Sequence, residues 1–208
     1  MARPRTDIEP RIVHAARKQF LERGVDGASL RAIAREASTN LGMIHYYFRT
    51  KDDLFLAVVE ELYVELLVEL ETILGKDVPI QAKLEQLFLR IGAATQEELD
   101  VIRLVVREAL ASTSRFERLF TRFQQGHLAM LFRAFGDGMQ AGEVDLTVPL
   151  PMLVIGSLAL GGIPQFMRRV AGGTPPFTLL PESKALAAKS VEVLFGGVAP
   201  KKKRTNEP

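Results

Sequence analysis

Ser29-Leu30-Arg31-Ala32-Ile33-Ala34-Arg35-Glu36-Ala37-Ser38-Thr39-Asn40-Leu41-Gly42-Met43-Ile44-His45-Tyr46-Tyr47-Phe48 is the stretch on which the fold turns. Leu30, Ile33, Ala34 and Ala37 recur at i, i+3, i+4 and i+7, the stripe of a short helix, and Ser29 stands where an N-cap belongs. Small polar residues at 38–40 break that helix. A second short helix then turns Ile44 and Phe48 inward. Two short helices across a tight polar break, preceded by a longer one, predict a helix-turn-helix over 29–48.

Outward from this motif the chain reads as helix in both directions. Upstream, Asp7 or Thr6 caps a helix to about residue 23, with Ile12, Val13, Ala16 and Phe20 on one side and Gly24 at its end. Downstream, Thr50 caps a helix over 51–74, with Asp52 and Asp53 at the positive end of its dipole. At 1.5 Å per residue that helix is about 36 Å long. Further helical runs are predicted at 79–95, 97–112, 115–141, 149–172 and 182–195, with breaks at 112–114, Gly142 and 172–176. No strand pattern and no repeat appears. The expectation is an all-α fold of about nine helices.

The chain has 208 residues, 47% hydrophobic and 25% charged, values of an ordinary globular protein. It contains no Cys, which excludes disulfides, thiolate metal sites and Cys nucleophiles. His14, His45 and His127 fall on separate helices, and there is no phosphate loop or dinucleotide fingerprint. We therefore expect no enzyme, no catalytic residue, no metal and no cofactor. Residues 1–51 carry ten Lys/Arg against five Asp/Glu, whereas 52–200 carry thirteen against nineteen. A basic head on an acidic body suggests a module that meets a polyanion; a solvated basic helix face is the alternative. The N-terminus lacks the apolar run of a secretory signal. The uncharged stretch 146–167 is long enough for a bilayer, but it holds three Pro and three Gly. It is read as a buried helix of a soluble protein, with a membrane span as the alternative. The basic run Lys201-Lys202-Lys203-Arg204 sits in a tail, 198–208, read as disordered. It matches a nuclear-import pattern, but the preferred reading is a basic tail that adds sequence-independent phosphate attraction.

Which face of the second short helix points outward follows from 100° per residue. With Ile44 inward, Phe48, Asn40 and Tyr47 lie within about 60° of it. Gly42, Met43 and Tyr46 then point away, His45 lies at the side and Leu41 at the boundary. A single helix face of this size fits the major groove of DNA.

The order of residue types is more specific than the periodicity. Ile12-Val13-His14-Ala15-Ala16-Arg17-Lys18-Gln19-Phe20, Glu22-Arg23-Gly24, Ser29-Leu30-Arg31-Ala32-Ile33-Ala34, Tyr46-Tyr47-Phe48 and Lys51-Asp52-Asp53-Leu54 follow one another at set spacing. In this the chain resembles the TetR family of bacterial transcriptional regulators, densely over 8–60. The resemblance implies DNA contacts at Ser29, Arg31, Thr39, Asn40, Leu41, Gly42, Met43, His45, Tyr46 and Lys51. Arg31 would meet a guanine or a phosphate, or else stay solvated. Tyr46 and Lys51 would hold phosphates, with packing of Tyr46 on the first helix as the alternative. Gly42 would admit the backbone close to DNA or ease the turn, and Met43 would touch a thymine methyl. Thr39 and Asn40 would cap the recognition helix, bind phosphate, or both. Four positions depart from the family pattern. Ser38-Thr39 replaces the usual Gly-Val, Leu41 stands where a polar residue is common, and His45 where Tyr is common.

The same resemblance implies a division into a DNA-binding domain, 5–65, and a ligand-binding and dimerisation domain, 66–197. The implied partners are an operator duplex, a small-molecule effector and a second copy joined through the last two long helices, with no membrane. Repression and a bacterial cytoplasmic location are the expected mode and place. The face Phe116, Phe120, Phe123, His127, Met130 and Leu131 suggests a lipophilic pocket. Phe120, Phe123, His127 and Met130 are its candidate ligand contacts, although His127 also reads as a satisfied core residue. Arg103 and Arg107, near Glu108, would favour an anionic ligand if they face that pocket, or pair along a solvated face if they do not.

Overall fold

The computed structural model describes residues 7–198, and within them the chain is helical without a strand. The expected tail at 198–208 lies almost wholly outside the described residues. The helices are α1 (Ile8–Gly27), α2 (Leu30–Glu36), α3 (Leu41–Tyr47), α4 (Lys51–Leu74), α5 (Ile80–Gly92), α6 (Gln96–Ala111), α7 (Thr113–Gln125), α8 (His127–Gln140), α9 (Leu150–Ser157), α10 (Ile163–Ala171) and α11 (Ser183–Val198). A π-helical turn, Leu158–Gly162, joins α9 to α10. The chain divides into two compact units, one of residues up to 66 with 95–122, the other of 67–94 with 123 onward. The segment holding α6 and most of α7 thus packs with the helix-turn-helix.

The first unit is built on α1, whose Ile12, Val13, Ala16 and Phe20 are buried as their spacing predicts. Phe20 meets Phe55 of α4 edge to face, with 6.4 Å between ring centres. Gly24 has φ +73°, where a side chain would be strained, and the chain turns there toward Val25. The end of α2 closes through paired bonds: the Ser38 amide donates to the Arg35 carbonyl at 3.1 Å and the Thr39 amide to Ala34 at 2.9 Å. Ser38 takes φ +51° at the position where glycine is usual, so the substituted turn keeps its geometry at the cost of a left-handed serine. Thr50 and Asp53 cap α4 reciprocally, each side chain accepting from the other's amide at 3.0 Å. Thr95 and Glu98 do the same for α6.

The second unit packs α5, α8, α9, α10 and α11 around Leu84, Phe88, Leu131, Phe135, Leu153, Val154, Ala187 and Leu194. Close approach depends on missing side chains. A Cβ on Gly161 would lie 2.1 Å from the Phe88 ring, and one on Gly92 would lie 2.1 Å from the Ser183 hydroxyl. Gln165 is fully buried, yet its amide donates to the Ser183 carbonyl and accepts from the Ser183 hydroxyl, so its polar ends are satisfied.

Two expectations change here. The run 115–141 is two helices, because Gly126 adopts a non-helical φ −110°, ψ −119° between them. The 149–172 helix is long and apolar enough to cross a membrane, but its inner face alone is buried in this chain. Leu153, Val154, Ser157, Gly161 and Gln165 face inward, while Met152, Ile155 and Ile163 are 63%, 66% and 58% exposed.

Candidate DNA-binding surface

The recognition helix α3 is anchored by two buried residues, Ile44 and Phe48. Asn40 starts it: its side-chain oxygen accepts from the Met43 amide at 3.0 Å, so the side chain is at the exposed cap and not on the inner face. Gly42, His45 and Tyr46 are exposed, Tyr46 by 76%. Leu41, Met43 and Tyr47 are half-buried, so Met43 presents less surface than the wheel suggests. Tyr46 leans edge-on against Tyr47, with 5.1 Å between ring centres, which fixes its ring while leaving the hydroxyl at the surface. Gly42 has only the Asn40 cap near it, at 3.2 Å from a built Cβ, so its backbone is open outward.

Ser29 and Arg31 stand exposed at the start of α2, where Ser29 accepts from the Ala32 amide at 3.4 Å. Thr39 is half-buried in the turn between the two helices. Lys51 has a second duty that its spacing does not reveal. Its ammonium donates to the carbonyls of Asp26 at 3.0 Å and Ala28 at 2.9 Å, tying α4 to the turn before α2. One N–H is left for a phosphate. The ten expected DNA contacts therefore fall on two short helices and the segments flanking them.

Sequence reasoning does not single out Arg49 or Arg115. Arg49 is an exposed cation just beyond α3, and its one legible signal is its place in the chain. Arg115, on α7, is only 7% exposed, and its guanidinium reaches three carboxylates. It donates to Asp52 at 2.9 Å, to Glu108 at 2.8 Å and to both oxygens of Asp26. Glu108, itself buried, uses its other oxygen to accept from the Val25 amide at 3.1 Å. Arg118 pairs with Asp53 at 2.6 Å and Arg122 with Glu60 at 2.5 Å, continuing a ladder between α7 and α4. The hydrogen bond from Arg115 holds the Asp26 carboxyl below the usual carboxylate range. Arg118, helped by Thr50, does the same to Asp53, and Asp26 first among its acidic partners raises Arg115. The visible signal was the spacing of Arg115, Arg118 and Arg122 at i, i+3 and i+7 along one helix face.

The expected pocket residues do not form one group. Arg107 spends its guanidinium on α1 and on Glu108, donating to the carbonyls of Phe20 and, at 3.2 Å, Leu21, and to the Glu108 carboxylate at 3.2 Å. Arg103 is exposed and pairs with Asp100 at 3.2 Å, the solvated alternative. Phe120 is exposed on α7 and stacks on Phe116 within the first unit, at 5.7 Å between ring centres. Phe123, His127 and Met130 belong to the second unit and are half-buried, Phe123 and His127 in ring contact at 5.1 Å. The break at Gly126 puts His127 and Met130 on a different helix from Phe120 and Phe123. A surface groove of about 370 Å³ in the first unit is lined by His14, Arg17, Lys18, Leu21, Glu22, Glu97 and Asp100, none of them an expected ligand contact.

An anchored pair of short helices with an exposed polar face defines a helix-turn-helix DNA-binding protein. Comparison with known proteins agrees. The family described as bacterial regulatory proteins, tetR family, matches residues 12–58. The HTH-type transcriptional dual regulator CecR of Shigella flexneri is 30% identical over 159 residues, 69% of this chain and 70% of that one. The HTH-type transcriptional repressor SCO4008 of Streptomyces coelicolor is 29% identical over 177 residues, covering 83% and 88%. Among solved structures, FadR of Bacillus subtilis, determined with stearoyl-CoA, superposes with a TM-score of 0.68 at 16% identity over 90% of this chain and 98% of that one. The chain belongs to the TetR family and is a transcriptional regulator; its relatives are regulators and not enzymes.

Proposed function

We propose that this regulator is a repressor that binds a palindromic operator as a homodimer and is released from it by a small lipophilic effector. The observation that carries the DNA part is the exposed face of α3, with Gly42, His45 and Tyr46 outward over buried Ile44 and Phe48. Residues 5–65 supply the DNA contacts, with Arg31, Leu41, Gly42, Met43 and His45 toward bases and Ser29, Thr39, Asn40, Tyr46 and Lys51 toward phosphates. Removing Arg31 as Arg31→Ala should cost about 1–3 kcal/mol against the base it reads.

Dimerisation is supported by the outer face of α9–α10, where Met152, Ile155 and Ile163 leave an apolar stripe on a 22-residue helix. Ala185, Ala188 and Val193 of α11 are exposed beside short side chains that allow close helix packing. A two-fold dimer would set its recognition helices about 34–36 Å apart. The effector reading draws on Phe123, His127 and Met130, and on the stearoyl-CoA held by one solved neighbour. The protein would act in the bacterial cytoplasm.

The test is selection from a random duplex library at about 0.15 M salt, where non-specific phosphate binding is weakened. Enrichment of an inverted repeat supports the reading, and no enrichment contradicts it. Ile155→Glu should convert a dimer to monomers in sedimentation and abolish binding to that repeat.

A further inference from the structure

We propose that Arg115 is a positioning residue for DNA binding: one guanidinium, supplied from outside the helix-turn-helix, clamps both ends of that motif. This rests on the DNA-binding reading above. Asp26 lies in the last turn of α1, beyond its Gly24 kink and three residues before the Ser29 cap of α2, and Asp52 lies at the start of α4, which leaves α3. Arg115 binds both carboxylates, and its third partner, Glu108, holds the Val25 amide of the same turn. Lys51 closes the circuit by donating from α4 to the Asp26 and Ala28 carbonyls. The entry and exit of the motif are therefore fixed to one buried point, and the tilt of α3 against its neighbours is set there. Holding a binding helix in one orientation before it meets its ligand removes an ordering cost from association.

The clamp makes a prediction whose sign is opposite to that of simple electrostatics. Asp26 is a carboxylate on the DNA-binding unit, with its side chain 80% exposed. Removing a negative charge there favours phosphate binding by Coulomb attraction alone. Under the clamp, Asp26→Ala loosens the motif and weakens binding, while Arg115 keeps Glu108 and Asp52, so the fold survives.

The experiment measures affinity of the full-length protein for the labelled inverted repeat enriched by the wild type, and for a random duplex, over a series of salt concentrations. Asp26→Ala should bind the repeat about 3- to 10-fold more weakly, a coupling typical of residues that touch neither ligand. Binding to random duplex should change less, the salt slope should match wild type because no phosphate contact is lost, and the melting temperature should fall only slightly, since the Asp26 carboxylate is largely exposed. Asp26→Glu should restore most of the affinity, and Glu117→Ala, an exposed carboxylate on α7 outside the ladder, should not weaken binding. Asp52→Asn repeats the test from the α4 side. Equal or tighter binding by both Asp26→Ala and Asp52→Asn would overturn the clamp. A parallel fall on both duplexes with a markedly lowered melting temperature would overturn it as well, since that marks general destabilisation. A wild-type chain that enriches no sequence would instead bring down the DNA-binding reading, and the clamp with it.

Discussion

In the first unit, helix ends and turns are held by discrete polar contacts: the Thr50–Asp53 and Thr95–Glu98 caps, Lys51 on two carbonyls, and Arg115 among three carboxylates. In the second, the elements meet through shape. Gly161 lets Phe88 touch the π-helical turn and Gly92 lets Gln165 and Ser183 close on α5, with single polar ties such as Glu143 accepting from the Ile80 amide and Arg169 donating to the Ala94 carbonyl in place of a charge network. The difference suits the two tasks proposed above, DNA reading and effector binding. Hydrogen bonds and ion pairs are directional, so they fix the angle of a recognition helix. Apolar packing tolerates repacking around a bound molecule more readily than a network of paired charges does.

Mutations can break this contrast. The largest effect should come from Arg115→Met, which strips Asp26 and Asp52 of the cation and leaves buried Glu108 with Arg107 alone, at 3.2 Å; we expect a loss of about 3–4 kcal/mol in urea unfolding. A neutral result would mean that the network is decoration on an apolar core. On the other side, Gly161→Ala should cost about 2–3 kcal/mol, because its methyl would overlap the buried Phe88 ring. Pairing it with Phe88→Leu should return part of that loss if shape alone is at stake.

Much of the first unit was legible because its signals are local. The stripe Leu30, Ile33, Ala34 and Ala37, the Ser29 and Thr50 caps and the break at 38–40 each act within a few residues, and all appear where expected. The exposed face of α3 was likewise readable from 100° per residue, apart from Asn40 and Met43. Asn40 sits at a cap, where the backbone is not yet helical. The Arg115 clamp was not legible, since its partners at 26, 52 and 108 are brought together only by tertiary structure. Nor was the fate of Arg107, whose guanidinium is taken by α1 carbonyls 86 and 87 residues away. A single glycine at 126, ambiguous within a helical pattern, decides whether Phe120 and Phe123 share a helix with His127 and Met130.

A smaller effect should sharpen the account of the turn. Ser38→Gly relieves a left-handed serine and should stabilise the protein by about 0.5–1 kcal/mol, read as a rise in denaturation midpoint. No change would mean that the Ser38 conformation carries no strain.

The smallest effect should appear on acidification. Asp26 and Asp53 have folded pKa values below their unfolded ones, so their contribution is present above about pH 4 and is lost as pH falls through the lowered values. Stability should be flat in this respect between about pH 7 and 5, and its acid limb should be shallower in Asp53→Asn. An unchanged acid limb would remove these pairs from the ledger of the first unit.

The central claim, that the exposed face of α3 reads bases while its flanks hold phosphates, is tested most directly by chemical interference on the enriched repeat. Methylation of guanine N7, a major-groove atom, should block binding at symmetric positions in two half-sites about one helical turn apart. The pattern should shift when His45 is replaced and persist when Lys51 is. Backbone protection without interference at any base would contradict the account, and would leave the protein a binder of phosphates alone.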